Sequence, residues 1–251
     1  MEEVNKMDKE IITKSEKKEK KERKERKERI KPEPLQICFN SNNDDWEIGI
    51  DEAGRGPLFG RVYSAGVVLP KDTNLFQHNL MKDSKKFTSK KKIEEAAEYI
   101  KTHALAYCVS YEDETSIDKI NILQATFKSM HNSIRTILNN KPKNIIIEKL
   151  LVDGNNFKPF TYFKNGHVNQ LHHTCIEGGD NKFTSIAAAS ILAKVERDKY
   201  IEALCEENPE LDEKYGLLKN KGYGTKKHID GIKEHGITEY HRKTYGLCKN
   251  Y

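Results

Sequence analysis

Apolar and polar positions follow two rhythms along this chain, and the changes of rhythm mark its elements. Around Trp46-Glu47-Ile48-Gly49-Ile50 the period is two, with Ile48 and Ile50 on one side, which predicts the start of a buried strand. Arg61 to Pro70 predicts a second strand, β-branched toward its end, stopped by proline and paired with the first as a hairpin. The period then lengthens. From Thr88 to Ile100 a Thr-Ser cap precedes Ile93, Ala96, Ala97 and Ile100, the spacing of one helix face. Ala104 to Tyr111 reads as a strand. Asn121 to Leu138 reads as a helix with Ile122, Ala125, Phe127 or Met130, Ile134 and Leu138 on its apolar side, ended by Asn139-Asn140-Lys141-Pro142. Asn144 to Val152 is an apolar stretch of central-strand character that runs into Asp153-Gly154-Asn155, and the alanine-rich Ser185 to Asp198 predicts a closely packed helix. Helix and buried strand in alternation predict an α/β sheet with helices on its faces.

Composition changes that picture at one end. The chain has 251 residues, 33% charged and 36% hydrophobic, but the charge is concentrated before about Pro34, where the Lys17 to Arg29 run of Lys, Glu and Arg has no apolar residue. Such a segment cannot bury a core, so residues 1–34 are expected to be a charged, helix-prone or disordered extension, and 35–251 a single domain. Interleaved glutamates cancel much of the basic field, which fits a solvated tail better than a nuclear address or nucleic-acid tether. Five scattered cysteines without a Cys-x-x-Cys pair argue against a disulfide framework or zinc site and for a reducing compartment. With no stretch of membrane-helix length and no secretory signal, a cytoplasmic protein is expected, nuclear if the basic extension is an import signal. The net charge of +5 permits a polyanionic partner without demanding one.

The chemistry is concentrated where the first strand ends. Asp51 and Glu52 adjoin with no cation between them. At ~4 Å and an effective dielectric of about 20, two such charges repel by about 4 kcal/mol, so a cation or a shared proton must offset them. Asp153 and Asp180 stand in similar settings, beside a strand end or a glycine turn. Convergence of Asp51, Glu52, Asp153 and Asp180 would hold two divalent ions, Mg²⁺ or Mn²⁺, in the manner of a nuclease. His172 and His173, adjacent on a strand, lack ligand spacing and are expected at the surface. Gly54-Arg55-Gly56 lets backbone approach a ligand while a guanidinium forks onto phosphate or ribose oxygens. Tyr223, set between glycines and surrounded by lysines, suits stacking on a sugar or base. Lys85, in Asp83-Ser84-Lys85-Lys86, is a further candidate for phosphate, or part of a polar turn; Lys194 and Arg197, on one helix face, point either to an acidic, phosphate-bearing site or to solvent.

Taken together, these motifs make the chain resemble a type 2 ribonuclease H of the bacterial ribonuclease HII family. The likeness spans about Glu47 to Tyr245 and rests on Gly49 to Leu58, Asp83 to Lys86, Asn121 to Ala125, Leu151 to Asn155, Ser185 to Asp198, Lys221 to Thr225 and His241-Arg242-Lys243. It implies a ribonuclease H-like mixed sheet flanked by helices with a helical C-terminal part. It further implies hydrolysis of RNA in RNA–DNA hybrids and nicking 5′ of ribonucleotides embedded in duplex DNA, leaving 3′-hydroxyl and 5′-phosphate ends. Asp51, Glu52, Asp153 and Asp180 would be the metal-binding catalytic carboxylates. Gly54, Arg55 and Gly56 would read the 2′-hydroxyl at the RNA-to-DNA junction, and Tyr223 would stack on the adjoining deoxyribose, with Lys85 and Lys194 as further substrate contacts. The partners implied are hybrid and ribonucleotide-containing duplex, acted on by a monomer; the sequence is silent on recruitment by a sliding clamp. A ribonuclease HIII-like nuclease without junction preference and a non-catalytic hybrid-binding protein are the alternatives. Arg61, Gly178 and Phe183 depart from the family pattern, which usually has proline, lysine and a small residue there.

Overall fold

The computed structural model describes residues 33–40 and 45–251. Residues 1–32 lie outside those described, and with them nearly all of the expected extension over 1–34.

A mixed sheet of five strands in the order β3-β2-β1-β4-β7 forms the centre. Its strands are β1 (Trp46–Ala53), β2 (Val62–Val68), β3 (Ala106–Glu112), β4 (Ile147–Asp153) and β7 (His172–Ile176). The β1–β2 hairpin is antiparallel, as the sequence predicts, and continues through β3. The pairings of β1 with β4 and of β4 with β7 are parallel. Strand β1 runs past Ile50 through both carboxylates, because its pairing with β2 continues through Asp51–Ala65, Glu52–Ser64 and Ala53–Tyr63. Strand β4 starts later than its apolar run, at Ile147, since Ile145 is still held in a turn by its N–H to the Pro142 carbonyl at 3.1 Å.

The helices are α1 (Lys90–His103), α2 (Glu114–Ile120), α3 (Ile122–Asn140) and α4 (Thr184–Glu207), followed by α5 (Glu210–Tyr215), α6 (Leu217–Asn220) and α7 (Lys226–His235). Alternation along β1 sends Ile48 and Ile50 to one face, where they pack with Phe127, Met130 and Ile134 of α3. The other face carries Ala65 and Val67 against the alanines of α4, with α1 behind. There Gly49 meets helix backbone directly: a Cβ on it would lie 2.2 Å from the Ser185 carbonyl carbon. Short side chains on both partners therefore set the depth at which α4 seats. Beyond the sheet, the second half of α4 joins α5, α6 and α7 around Phe59, Tyr215, Leu217 and Ile232, the helical C-terminal part. A small hairpin, β5 (Thr161–Lys164) with β6 (His167–Gln170), projects between β4 and β7.

The three departures from the family pattern have local explanations. Arg61 is sandwiched between the rings of Tyr111 and Tyr200, 4.2 and 4.3 Å from their centroids. Gly178 adopts φ 62°, a left-handed conformation that suits glycine. Phe183 is buried, stacks on Phe39 at 5.9 Å and docks the segment around Gln36 onto the domain. No helix among the described residues is long and apolar enough to cross a membrane, and all five cysteines are free thiols.

Candidate active site

Parallel pairing of β1 with β4 places Ile50 opposite Val152, so Asp51 and Asp153 emerge side by side at neighbouring strand ends. Asp51 is 5% exposed, lies on the α4 side, and accepts the Glu52 N–H at 2.7 Å. Glu52 turns to the opposite side, where Arg55 Nη1 reaches its Oε1 at 3.2 Å. Asp153 Oδ1 accepts the Gly179 N–H at 2.7 Å, which ties the end of β4 to the turn Gly179–Asn181 that presents Asp180. Asn181 then bridges two acidic groups, its Nδ2 donating to Asp180 at 2.9 Å and to Asp83 at 3.3 Å.

All ten of the residues singled out from the sequence, Asp51, Glu52, Gly54, Arg55, Gly56, Lys85, Asp153, Asp180, Lys194 and Tyr223, line one cleft of about 470 Å³. A second, of about 360 Å³, shares Glu52, Arg55 and Asp153 and continues over Gly154, Asn155 and Asn156. Electrostatics in the first are unfavourable to full ionisation. Burial, then the charges of Glu52 and Asp153, push the Asp51 carboxyl well above the usual carboxylate range. Burial also raises Glu52, with Arg55 pulling back and Asp153 adding to the rise. Asp180 is raised by burial, then by Asp83 and Asp153. Such an all-oxygen, mutually repelling donor set fits a hard divalent cation. The four carboxylates share this cleft, although among the described residues no three acidic, His or Cys side chains stand close enough together to form a metal-holding cluster.

The reading of Lys194 and Arg197 as a pair divides. Both line the cleft, but Lys194 is paired with Asp198 one turn on, whereas Arg197, 2% exposed, is chiefly a brace inside the fold. Its guanidinium donates to the carbonyls of Phe59, Arg61 and Lys221 at 3.3, 3.3 and 2.9 Å. Burial made the difference: helix spacing places the two on one side but says nothing of which neighbours close over Arg197.

A second buried arginine, absent from the sequence-based candidates, shapes the loop that carries Gly54-Arg55-Gly56. Arg242, fully buried, donates to the carbonyls of Gly54 (2.6 Å), Pro57 (2.9 Å), Arg55 (3.0 Å) and Gly60 (2.8 Å). The Tyr245 hydroxyl donates to the Arg55 carbonyl as well, at 3.0 Å. Since every peptide here is trans, carbonyls turned inward leave the N–H groups of Arg55 and Gly56 facing the other way. Gly54 sits at φ +94°, and a Cβ on it would strike Arg197 Nε at 2.2 Å. Gly56 lies under the half-exposed ring of Tyr223, whose Cε1 would be 3.3 Å from a Cβ there. The only sequence signal for Arg242 was its place in His241-Arg242-Lys243; Ser190, whose hydroxyl is 3.1 Å from that of Ser84 and which lines the cleft beside Asp51, had none beyond its alanine-rich helix.

Comparison with known proteins agrees with this architecture. A family model described as ribonuclease HII matches residues 48–248. Ribonuclease HII of Bacteroides thetaiotaomicron is 45% identical over 206 residues, covering 82% of this chain and 92% of that one. The same enzyme of Parabacteroides distasonis is 44% identical over 201 residues, 80% and 90% of the two chains. Among solved structures, ribonuclease H2 of Pyrococcus horikoshii superposes with a TM-score of 0.62 at 23% identity, covering 82% of this chain and 96% of that one, a likeness of fold.

Proposed function

The chain belongs to the ribonuclease HII family, endoribonucleases that cleave RNA in RNA–DNA hybrids, and on that premise we propose that it is a divalent-metal-dependent nuclease that also nicks 5′ of single ribonucleotides embedded in duplex DNA. The products would carry 3′-hydroxyl and 5′-phosphate ends. The observation that carries the reading is the meeting, in one cleft, of the acidic groups with Gly54-Arg55-Gly56 and Tyr223. Reaction chemistry and sugar recognition would then act on neighbouring nucleotides.

Asp51, Glu52, Asp153 and Asp180 would hold the ions. The chemistry supplied by bound Mg²⁺ or Mn²⁺ is activation of the attacking water and neutralisation of charge on the leaving oxygen. Lys85 and Lys194, at the cleft wall, would balance phosphate charge. Arg55 and Gly56 would present backbone N–H groups to the 2′-hydroxyl, a group with both donor and acceptor capacity that deoxyribose lacks. Tyr223, 50% exposed, offers its free face to the next sugar. Glu52 pairs with the Arg55 guanidinium at 3.2 Å, which links the Gly-Arg-Gly loop to the carboxylate set.

The test is cleavage of labelled duplex DNA carrying one ribonucleotide, in Mg²⁺ or Mn²⁺, beside an all-DNA duplex and a continuous hybrid. A nick immediately 5′ of the ribonucleotide is the expected result. Cleavage of the continuous hybrid alone would overturn the junction reading, and full activity in excess EDTA would overturn metal dependence.

A further inference from the structure

His228, on α7, and His241 are both fully buried, packed edge-on against Phe59 and Tyr215. Their hydrogen bonds determine which nitrogen carries each proton. The Thr238 backbone N–H donates to His241 Nδ1 at 2.9 Å, so that nitrogen is bare and the neutral ring is protonated on Nε2. His241 Nε2 lies 3.1 Å from His228 Nε2, which must therefore accept. The proton of His228 then sits on Nδ1, 3.0 Å from the Tyr223 carbonyl oxygen, to which it donates. A second proton on either ring would set two N–H groups against each other. Burial lowers the pKa of both rings in the same sense, His241 to about 3.

We propose that His228 and His241 are positioning residues for Tyr223, holding its backbone through a one-directional relay of neutral tautomers that starts at the Thr238 amide. The inference rests on the reading of Tyr223 as a sugar-stacking residue. A ring that is 50% exposed receives little orientation from packing, so its direction is set by its backbone. That backbone lies in a strained turn, with Lys221 at φ 50° and Gly222 at φ +85°. The next residue after His241 is Arg242, which clamps the Gly54 and Arg55 carbonyls. One dipeptide thus fastens both substrate-facing loops, and the relay keeps Tyr223 in register with Gly56.

The variants that separate this from a general structural role are His228→Phe, which fills the space without a donor, and His228→Asn, which keeps an N–H near the position of Nδ1. Loss of one such hydrogen bond predicts a three- to tenfold fall in kcat/KM on the single-ribonucleotide duplex, carried mainly by KM. His228→Asn should recover most of it. In a Tyr223→Ala background His228→Phe should add less than twofold, because the two act through one ring. Additive losses, or an unimpaired His228→Phe beside an impaired Tyr223→Ala, would overturn the proposal. Nitrogen-15 NMR of the wild-type imidazoles provides the second measurement: His228 should show Nδ1–H and His241 Nε2–H, neither titrating between pH 8 and pH 5. Another tautomer, or titration in that range, would refute the relay whatever Tyr223 does. The expected tautomers together with a fully active Tyr223→Ala would instead sink the stacking role, and the positioning role with it.

Discussion

Replacing Asp51 by asparagine should make the metal-free protein more stable while abolishing its activity. The side chain is 5% exposed, and its pKa is pushed well up by burial and then by Glu52 and Asp153. Asparagine keeps the oxygen that accepts the Glu52 N–H at 2.7 Å and turns its amide toward Ser190, so little is lost but the charge. Like charges at ~5 Å with an effective dielectric of about 20 repel by about 3 kcal/mol. Allowing for relaxation, the gain should be about 2 kcal/mol, or roughly 4–8 °C in Tm for a domain of this size. The sign with pH follows from the raised carboxyl. Below the ordinary carboxylate range the group is protonated in folded and unfolded chains alike and the native state carries no penalty. As pH rises through the raised folded-state value, wild type loses stability that the variant keeps. Thermal melts of both proteins in EDTA from pH 4 to pH 8 should therefore show a gap that opens with pH. Added Mg²⁺ or Mn²⁺ should raise wild type and narrow it. A variant less stable than wild type at pH 8 in EDTA, or a gap that ignores pH, would refute the reasoning.

Three further substitutions test other parts of the structure. Asp153→Asn keeps the acceptor for the Gly179 N–H and should lower kcat by on the order of 100-fold or more without loss of fold, read by steady-state cleavage beside circular dichroism; retained turnover at saturating Mg²⁺ would remove Asp153 from the ligand set. Arg242→Met orphans the carbonyls of Gly54, Arg55, Pro57 and Gly60 and should destabilise by on the order of 3 kcal/mol in urea unfolding, against which an unchanged midpoint would count. Gly49→Ala drives a methyl into the Ser185 backbone and should cost roughly 3 kcal/mol; a melt like that of wild type would mean that α4 seats less tightly than described.

The sheet was legible where a strand or helix declares itself through its own residues. Ile48 and Ile50 alternate, α3 shows its apolar side, and Asp51-Glu52 stands out because like charges at a strand end need an explanation. Helix α2 went unread, and so did the strands β5 and β6, which are short, polar and held by pairing rather than by pattern; of β7 only the adjacent His172 and His173 were placed on a strand. In the site, residues whose chemistry faces the cleft could be named from type and context. Those acting from behind could not. Arg197 and Arg242 read as ordinary cations until the carbonyls of distant segments are brought around them, and His228 and His241 read as unremarkable histidines until one is 3.1 Å from the other. Burial, which separates a brace from a solvated charge, is decided by the whole fold.

The Arg242 clamp also has a temporal side. Its hydrogen bond to Gly54 spans 188 positions, so on a ribosome the Gly54-Arg55-Gly56 loop is made long before the arginine that shapes it. A nascent chain extended through α4 already carries Asp51, Glu52, Asp153 and Asp180, yet its Gly-Arg-Gly carbonyls have nothing to turn them inward. Vectorial synthesis therefore builds the acidic groups first and the arginine that holds the Gly54-Arg55-Gly56 loop afterwards, and a chain arrested between the two stages would have carboxylates beside a loop not yet held.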